Sequence, residues 1–271
     1  MKRLMVGAFL FAALIGSGFA TRAAVPPTLG SDSPALAALL IALGGSRGIL
    51  SEILWWRIGE LQKENRYREL IPLTTLLVTL EPSTPDVWTY NAWNLAYNVS
   101  VMHHDAPERW SWIKRGLALL ERGLRITPQA SPLLQQMGWI YEDKIGGRLD
   151  PCAPYYRAHL SELRVPADAD AFARRLGATL DWTVPHTHAL YWYERSGDAY
   201  PVLRTLIALL VATDNDSLVP AFIATARAQL RTLPPQQREQ VHAFAQDFAQ
   251  QHSSPELITF LKEIHHDTNR R

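Results

Sequence analysis

The sequence predicts an all-α protein made of paired helices, and three observations support that fold class. Apolar residues after residue 50 recur at the spacing of one helix face, in one segment after another. Pro, Gly and Asp separate these segments, and no alternating strand pattern appears among them. Because one short amphipathic helix cannot bury its apolar face alone, we expect the helices to pack against their neighbours along the chain.

The composition is that of a globular protein with a sizeable core. Of the 271 residues, 47% are hydrophobic and 20% are charged, which excludes a wholly disordered chain. The formal net charge is +1, so no basic excess exists to neutralise phosphates, and we expect no nucleic-acid partner. The single cysteine, Cys152, excludes an intrachain disulfide and a Cys-rich metal centre. Nine Trp and nine Tyr supply rigid rings for helix packing or for a recognition groove.

The amino terminus has the layout of an export signal. Lys2 and Arg3 precede an apolar run at 4–20, and small residues allow cleavage after Ala20. The same run is just long enough to span a bilayer as an uncleaved anchor, and a buried core helix is a third interpretation. Both export interpretations carry the rest of the chain across the membrane. We therefore expect an exported protein, either periplasmic or membrane-anchored and facing the periplasm.

We expect four regions along the chain. Residues 1–24 hold the signal or anchor, and 25–33 form a linker that includes two adjacent prolines. Helical repeats follow at 34–166, and 167–271 form a C-terminal helical-repeat or capping region whose polar helices face water. The helices predicted in this last region are 169–180, 185–195, 199–213, 218–231, 235–251 and 255–265.

A second apolar run, at 35–45, is too short to cross a membrane. It leads through a Gly-rich segment at 44–48 into further apolar residues at 49–58. We expect the run to be buried as the first helix of the stack, with a position on the membrane surface as the alternative. The Gly-rich segment lacks the Lys of a phosphate-binding loop, so we interpret it as a tight turn between helices.

Large and small residues recur within the helix pairs in a pattern that lets one helix settle closely on its partner. In the best-matching pair, the first helix offers Leu134, Met137, Gly138 and Tyr141. The preceding pair offers Trp88, Ala92 and Leu95, then Gly116, Leu120 and Gly123, and a closing Pro128. The earliest pair offers Leu54, Ile58 and Leu61, then a turn and second-helix start at 65–70, and a closing Pro82. This pattern resembles tetratricopeptide repeats, which implies an α-solenoid whose inner face is built by the first helix of each pair.

The resemblance covers residues 51–165 and departs from the family in its period. Pro82 and Pro128 lie 46 residues apart, whereas the family repeats about every 34 residues. We expect the additional residues to form a longer helix-to-helix crossing at 99–109. The chain also resembles a group of exported bacterial helical-repeat proteins, through its apolar start, its Gly-Gly-x-Arg-Gly turn and its Trp-rich helices. That second resemblance implies no particular chemistry.

The inner face of such a stack is the expected binding surface, and its candidates are first-helix residues that the core does not need. These groove residues are Trp55, Thr89, Trp93, Tyr97, Gln135, Trp139 and Asp143. Trp93 and Trp139 occupy equivalent positions in successive pairs, so we expect stacked aromatic ledges suited to a peptide or an apolar helix. The alternative is that both rings pack against an adjacent helix. The groove lacks the Lys, Arg and Asn of the carboxylate-clamp members of the family, so a chaperone carboxyl terminus is not an expected ligand.

No catalytic, cofactor-binding or metal site is predicted. The His-containing segments 103–105, 186–188 and 265–267 are interpreted as solvated loops, because no second cluster completes a set of metal ligands. The charged run 142–144 favours salt bridging over acid–base catalysis. Neither a nucleophile elbow nor a phosphate-cradling loop is found in the sequence.

We therefore expect a non-catalytic scaffold or adaptor of the bacterial cell envelope that binds a partner protein or peptide through the groove residues. The amino terminus is also a candidate for contact with the membrane. One alternative is a structural subunit of a membrane complex, and an exposed apolar strip along the first helix would favour it. The other is a helical-repeat enzyme acting on envelope polymers, and acidic residues with His in one deep pocket would favour that.

Overall fold

The protein is all-α in the computed structural model, which describes residues 47–213, 215–252 and 255–268. Within those ranges the chain forms α-helices, π-helical segments and short 3-10 turns, and no strand. The all-α class is therefore confirmed, whereas the α-solenoid arrangement stays a prediction. The export signal, the linker and the helix expected at 35–45 lie outside the described residues.

The helices are numbered in chain order. They are α1 (Arg47–Lys63), α2 (Tyr67–Leu80), α3 (Pro85–Trp93), π1 (Asn94–Val99), α4 (Ala106–Ile126), α5 (Ser131–Trp139), π2 (Ile140–Ile145), α6 (Ala153–Ala158), α7 (Ala169–Leu176), α8 (Pro185–Ser196), α9 (Ala199–Thr213), α10 (Leu218–Gln229), α11 (Pro235–His252) and α12 (Pro255–Thr268). In the described part of the chain, no helix combines the length and the apolar character needed to cross a membrane.

Neighbouring helices pack on one another along the chain. Helix α1 packs on α2, α2 on α3, and α3 on both α4 and α5. Helix α5 then packs extensively on α8, α8 on α9, and α9 on α10 and α11, with α12 against α11 and α10. Helices α3, α5 and α8 therefore form a row. One cluster of buried apolar side chains runs from Leu54 to Leu261 through this arrangement.

Local sequence signals set the ends of several helices. Pro lies in the first turn of α3, α4, α5, α6 and α8, where its missing N–H costs no helical hydrogen bond. The Asp105 carboxylate accepts a hydrogen bond from the backbone N–H of Glu108 and so caps α4. Gly177 and Gly197 adopt left-handed backbone conformations, with φ of 71° and 76°, and end α7 and α8.

The residues that carry the repeat pattern are core residues. The buried members are Leu54, Ile58, Leu61, Trp88, Ala92, Leu95, Gly116, Leu120, Gly123, Leu134, Met137, Gly138 and Tyr141. The glycines mark close helix contacts. A Cβ on Gly116 would lie 2.9 Å from the carbonyl oxygen of Ala92, and a Cβ on Gly138 would lie 2.6 Å from the Tyr193 ring. Small residues at these positions therefore let one helix approach the next closely.

The 46-residue spacing between the closing prolines is repeated in the backbone. Helix α3 and π1 have nine and six residues, and α5 and π2 have the same lengths, beginning 46 residues later. The crossing expected at 99–109 lies in that range but is shorter than expected, because it covers only 100–105. The first helix instead continues as π1 to Val99, a 3-10 turn covers Ser100–Met102, and α4 begins at Ala106 and runs for 21 residues. The residues that lengthen the interval to 46 thus lie largely within helices.

Most of the C-terminal helix predictions agree with the structure to within three residues, and α9 has the predicted bounds. The predicted end of α7 at 180 is wrong, because Gly177 turns the backbone left-handed after Leu176. Helix α10 ends at Gln229 and is followed by a 3-10 turn. The predicted Gly-rich turn at 44–48 is wrong in its second half, because α1 already begins at Arg47.

Candidate functional site: an aromatic strip beside a charged network

Four aromatic rings from α1, α3 and π1 form a continuous strip. Their ring centroids lie 5.4 Å apart between Trp55 and Tyr90, 6.4 Å between Tyr90 and Trp93, and 6.1 Å between Trp93 and Tyr97. The first contact is edge-to-face and the last is stacked. All four side chains are partly exposed. We call these four residues the aromatic strip, and it runs from α1 across α3 to π1.

Both tyrosines of the strip are held by their hydroxyl groups. Tyr90 donates to Oε1 of Gln62 at 3.2 Å, and Tyr97 donates to Oδ2 of Asp143 at 3.0 Å. Burial, together with the nearby Asp143 carboxylate, raises the pKa of Tyr97, so its hydroxyl stays protonated and remains a donor. The rings are therefore fixed before any ligand arrives, which lowers the entropy that binding would cost.

The Tyr97–Asp143 hydrogen bond joins π1 to π2. These two residues occupy equivalent positions in the 46-residue repeat, at the fourth residue of each π-helical segment. Single π-helical turns within helices are rare and are frequent at functional sites. Here each segment continues the first helix of a pair and turns polar or aromatic side chains toward its counterpart.

Beyond Asp143, charged side chains form a network that borders the strip. Glu142 accepts a hydrogen bond at 2.8 Å from the Tyr193 hydroxyl and forms an ion pair with Arg204. Burial raises the pKa of Glu142, while the Arg204 charge and the Tyr193 hydrogen bond oppose that rise. Arg204 also lies over the rings of Trp139 and Tyr200, at 5.8 and 5.7 Å from their centroids.

The third charged residue of π2 completes the network on the other side. Lys144 is buried and pairs with Asp150, with Nζ 2.6 Å from Oδ2, and its ammonium lies 5.3 Å from the centroid of the Tyr97 ring. Asp150 also accepts hydrogen bonds from Arg109, the Tyr156 hydroxyl and the Cys152 backbone N–H. Burial works against the Asp150 charge, but its hydrogen bonds and cationic neighbours outweigh burial and lower its pKa. This carboxylate is therefore a structural anion.

The predicted groove residues fall into three groups. Trp55, Trp93 and Tyr97 belong to the aromatic strip, and Asp143 borders it. Trp139 is 39% exposed and has Arg204 over its ring, so its principal contact differs from that of Trp93, which lies between Tyr90 and Tyr97. The two tryptophans therefore belong to separate ring groups and are both accessible from solvent.

The remaining two groove residues are engaged locally. Gln135 donates to Ser131 at 3.3 Å and to Asp198 at 3.2 Å, which ties α5 to the turn before α9. The Thr89 hydroxyl donates to the backbone carbonyl of Asp86 at 3.0 Å. Both side chains remain partly exposed.

Sequence reasoning missed four residues that shape this surface, namely Tyr90, Tyr193, Tyr200 and Arg204. The repeat resemblance covers residues 51–165, so it does not relate α8 and α9 to the earlier helix pairs. One signal was available: Tyr200 and Arg204 lie four residues apart on a helix whose bounds were predicted. Their contact with Trp139 depends on how α9 packs, which no local pattern specifies.

The interpretation of His188 as a loop residue is wrong. His188 is 1% exposed within α8, its ring stacks on Tyr141 at 4.7 Å, and its Nε2 lies 3.0 Å from the Trp182 carbonyl oxygen. Burial lowers the pKa of His188 to about 4, so the ring is neutral near pH 7. The neighbouring His186 also lies in α8, and burial is the main cause of its lowered pKa.

The 103–105 segment is a loop, as expected, but its side chains are not merely solvated. The indole N–H of Trp112 donates to Nε2 of His103 at 2.8 Å, and Nδ1 of the same ring contacts the Glu108 carboxylate. Asp105 caps α4. Throughout the described residues, no group of His, Cys, Asp and Glu side chains is arranged to hold a metal ion. Residues 265–267 lie in α12, so their interpretation as a loop is wrong.

Comparisons of the chain with family models, with curated proteins and with solved structures found no match. The carboxylates of Glu142, Asp143 and Asp150 are held by Arg204, Tyr97 and Lys144 respectively, so this network maintains a fixed arrangement of charge. The aromatic strip offers preorganised ring faces, and such surfaces contact ligands through stacking and apolar burial.

Proposed function

We propose that this protein is a non-catalytic scaffold that binds an apolar segment of a partner protein along the aromatic strip. The finer description we propose is a tetratricopeptide-like α-solenoid of the bacterial cell envelope, exported by its amino terminus. The observation that supports binding most directly is a row of four partly exposed rings on α1, α3 and π1, each in contact with the next from Trp55 to Tyr97.

Three physical features favour recognition of apolar side chains by this surface. Aromatic rings with few rotatable bonds bury much area at little entropic cost, and they dominate the energetics of protein interfaces. The hydroxyl anchors of Tyr90 and Tyr97 hold the rings in place. The charges beside the strip are already paired within the protein, so an apolar ligand leaves no ion unpaired when it binds.

The test is co-purification of the full chain from membranes in mild detergent, with the bound protein identified by mass spectrometry and its affinity then measured. We expect Trp93→Ala to weaken binding by more than about tenfold, the scale of an interface hot spot. Trp139→Ala should weaken binding less, because its ring already carries Arg204. Unchanged binding by both folded variants would contradict the proposal.

A second candidate, a structural subunit of a membrane complex, is favoured by one observation. Helix α1 exposes Ile49, Ile53 and Trp56, with 67% of Trp56 accessible. The variant Trp56→Ala separates the two candidates, because Trp56 is exposed but lies outside the aromatic strip. Loss of the partner from Trp56→Ala together with its retention by Trp93→Ala would select the membrane subunit over the scaffold.

A further inference from the structure

The aromatic strip has a carboxylate at each end. At one end, Tyr97 donates its hydroxyl to Oδ2 of Asp143 at 3.0 Å. At the other end, Asp86 lies four residues before Tyr90 and seven before Trp93, so it shares their helix face. Asp86 is exposed and Asp143 is partly exposed. Within the described part of the chain, neither carboxylate forms an ion pair.

Asp143 differs in this respect from the other two carboxylates of the network. Glu142 and Asp150 are each paired with a cation. Lys144, whose ammonium lies 5.3 Å from the centroid of the Tyr97 ring, is the cation that pairs with Asp150. Asp143 is held by a neutral hydroxyl instead, and an ionised carboxylate has lone pairs for further donors. Its negative charge is therefore available to a cation from outside the protein.

The elements that carry three of the four rings contain no basic residue. Neither α3 nor π1 has a Lys, Arg or His, and the neighbouring α5 has none either. Exposed basic side chains are found instead on α4, at Arg115, Arg122 and Arg125. The strip thus combines ring faces with negative charge at its ends, which complements a ligand that is both apolar and cationic.

We propose that the partner segment bound by the aromatic strip carries basic side chains at both ends, one paired with Asp143 and one with Asp86. This inference rests on the proposed function, because it specifies the partner of the same surface. A Lys or Arg at Asp143 gains a charge-assisted hydrogen bond. The same cation is attracted to the face of an adjacent aromatic ring, and Trp is the strongest such partner.

The length of the strip specifies where the basic side chains lie in the partner. Asp86 and Tyr97 are eleven residues apart, which corresponds to about 16 Å along a helix. Two basic side chains that reach both carboxylates are therefore separated by a stretch of the partner, and its apolar side chains lie between them on Tyr90 and Trp93. An apolar segment with a charge at only one end would leave the other carboxylate without a cation.

The test uses random peptides displayed on phage and selected against the full chain. Peptides of about twelve residues are long enough to span 16 Å even as a helix. The original protein is compared with Trp93→Ala, Asp143→Asn and Asp86→Asn, and Asp170→Asn at an exposed position of α7 is the matched control. Asn at 143 keeps an oxygen that accepts the Tyr97 hydrogen bond, so the variant removes the charge with little change in shape.

We expect the original protein and Asp170→Asn to select apolar peptides in which Lys and Arg are enriched at least about twofold over the starting library. Trp93→Ala should lose these peptides. Asp143→Asn and Asp86→Asn should each keep the apolar preference and lose the basic preference at one end of the peptide.

A double-mutant cycle then measures the contact with Asp143. One selected peptide is synthesised with its basic residue and with Gln in that place, and both are titrated against the original protein and Asp143→Asn. Either single change should weaken binding about fivefold, the upper end for a partly exposed ion pair. The double change should weaken binding no further, because both changes remove the same contact.

The outcomes separate this inference from the proposed function. Peptides that depend on Trp93 but show no basic enrichment would overturn the inference and leave the proposed function standing. A basic preference that survives in both Asn variants, or losses that multiply in the cycle, would overturn it as well. If no selected peptide depends on Trp93, the proposed function fails and the inference fails with it.

Discussion

Two regions of this protein have the same backbone frame and different chemistry. Helix α3 with π1, and α5 with π2, match in length and lie 46 residues apart. In the first region, π1 places Ala96, Tyr97 and Asn98 where π2 has three consecutive charged residues, Glu142, Asp143 and Lys144. The helical frame is thus repeated, whereas the residues that face its neighbours are adapted to different partners.

The partners themselves explain this difference. Helix α4 has 21 residues and covers the first region, and its Gly116 lies against Ala92. Helix α6 has only six residues, and α8, which packs on α5 as α5 packs on α3, brings Tyr193 against Gly138. The hydroxyl of that same ring is a partner of Glu142. The second region thus receives contacts from α8 and α9, and its buried Glu142 is paired through Tyr193 and Arg204 from those helices.

The comparison is tested most severely by Gly138→Ala, which introduces the residue that the first region has at the equivalent position, Ala92. The added Cβ would lie 2.6–2.9 Å from three atoms of the buried Tyr193 ring. We expect a loss of about 3 kcal/mol in the free energy of unfolding, measured with urea. Gly59→Ala in α1 is the control: its Cβ meets nothing within 4 Å, so it should stabilise the protein by up to about 1 kcal/mol. If Gly138→Ala lowered the unfolding free energy by no more than an ordinary surface substitution does, α5 and α8 would not be closely packed.

The second prediction concerns Tyr141, which stacks on His188 where the first region has Leu95. Burial lowers the pKa of His188 to about 4 from an ordinary value of 6.5. Below pH 6.5 the unfolded chain therefore binds a proton that the folded chain does not, so the free energy of unfolding falls until about pH 4. The loss from this group is at most about 3 kcal/mol.

His188→Phe keeps the ring stack and removes this proton-binding group. The unfolding free energy of the original protein, minus that of the variant, should fall as the pH is lowered from 6.5 to 4, because only the original protein loses the contribution of His188. Taking this difference also separates His188 from Glu142, whose raised pKa acts in the opposite direction. His104→Gln, at an exposed loop position, is the matched control. A constant difference across this pH range would contradict the buried, neutral state of His188.

The third prediction concerns the ion pair between Glu142 and Arg204. Glu142 occupies the position at which the first region has Ala96. Arg204→Met leaves Glu142 without its cation in a mostly buried site, and we expect a loss of about 2 kcal/mol. This is less than for a fully buried pair because Arg204 is partly exposed. Adding Glu142→Ala, the residue found at the equivalent Ala96, should recover more than half of that loss in urea unfolding. Additive losses in the double variant would mean that the two side chains act independently.

The smallest effect is expected at the contact between the two regions. Tyr97→Phe removes the hydrogen bond to Asp143, and we expect a loss of about 1 kcal/mol in unfolding free energy. Tyr67→Phe is the control, because that hydroxyl bonds to Asn65 at an exposed site and should change stability by less than about 0.5 kcal/mol. Equal effects for the two variants would mean that the link between π1 and π2 contributes no stability.

Local patterns in the sequence predicted the helices well. The apolar spacing specified the bounds of α9, and the signature residues of three helix pairs are buried. The 46-residue interval between Pro82 and Pro128 also reappears as the offset between π1 and π2. These features succeed because helix periodicity, Pro and Gly act over a few residues, so a linear sequence displays them directly.

The π-helical segments and the site contacts were not predictable in the same way. A π-helical turn shifts the hydrogen-bond register by one residue, and apolar spacing does not reveal that shift. The partners of Glu142 lie 51 and 62 residues away in the chain, at Tyr193 and Arg204. Likewise, nothing near His188 in the sequence indicated that Tyr141 would cover its ring.

The all-α class, the order of the helices and the buried residues of the repeat pattern follow from the amino-acid sequence, because those depend on short-range backbone preference and apolar periodicity. The choice of rings in the aromatic strip and of the ion pairs that border it depends on the tertiary structure. Those contacts depend on the packing of helices far apart in the chain, and a small set of close approaches, such as Gly138 on Tyr193, places the helices there. Side-chain packing over long separations is therefore what converts a repeated helical frame into two regions with different chemistry.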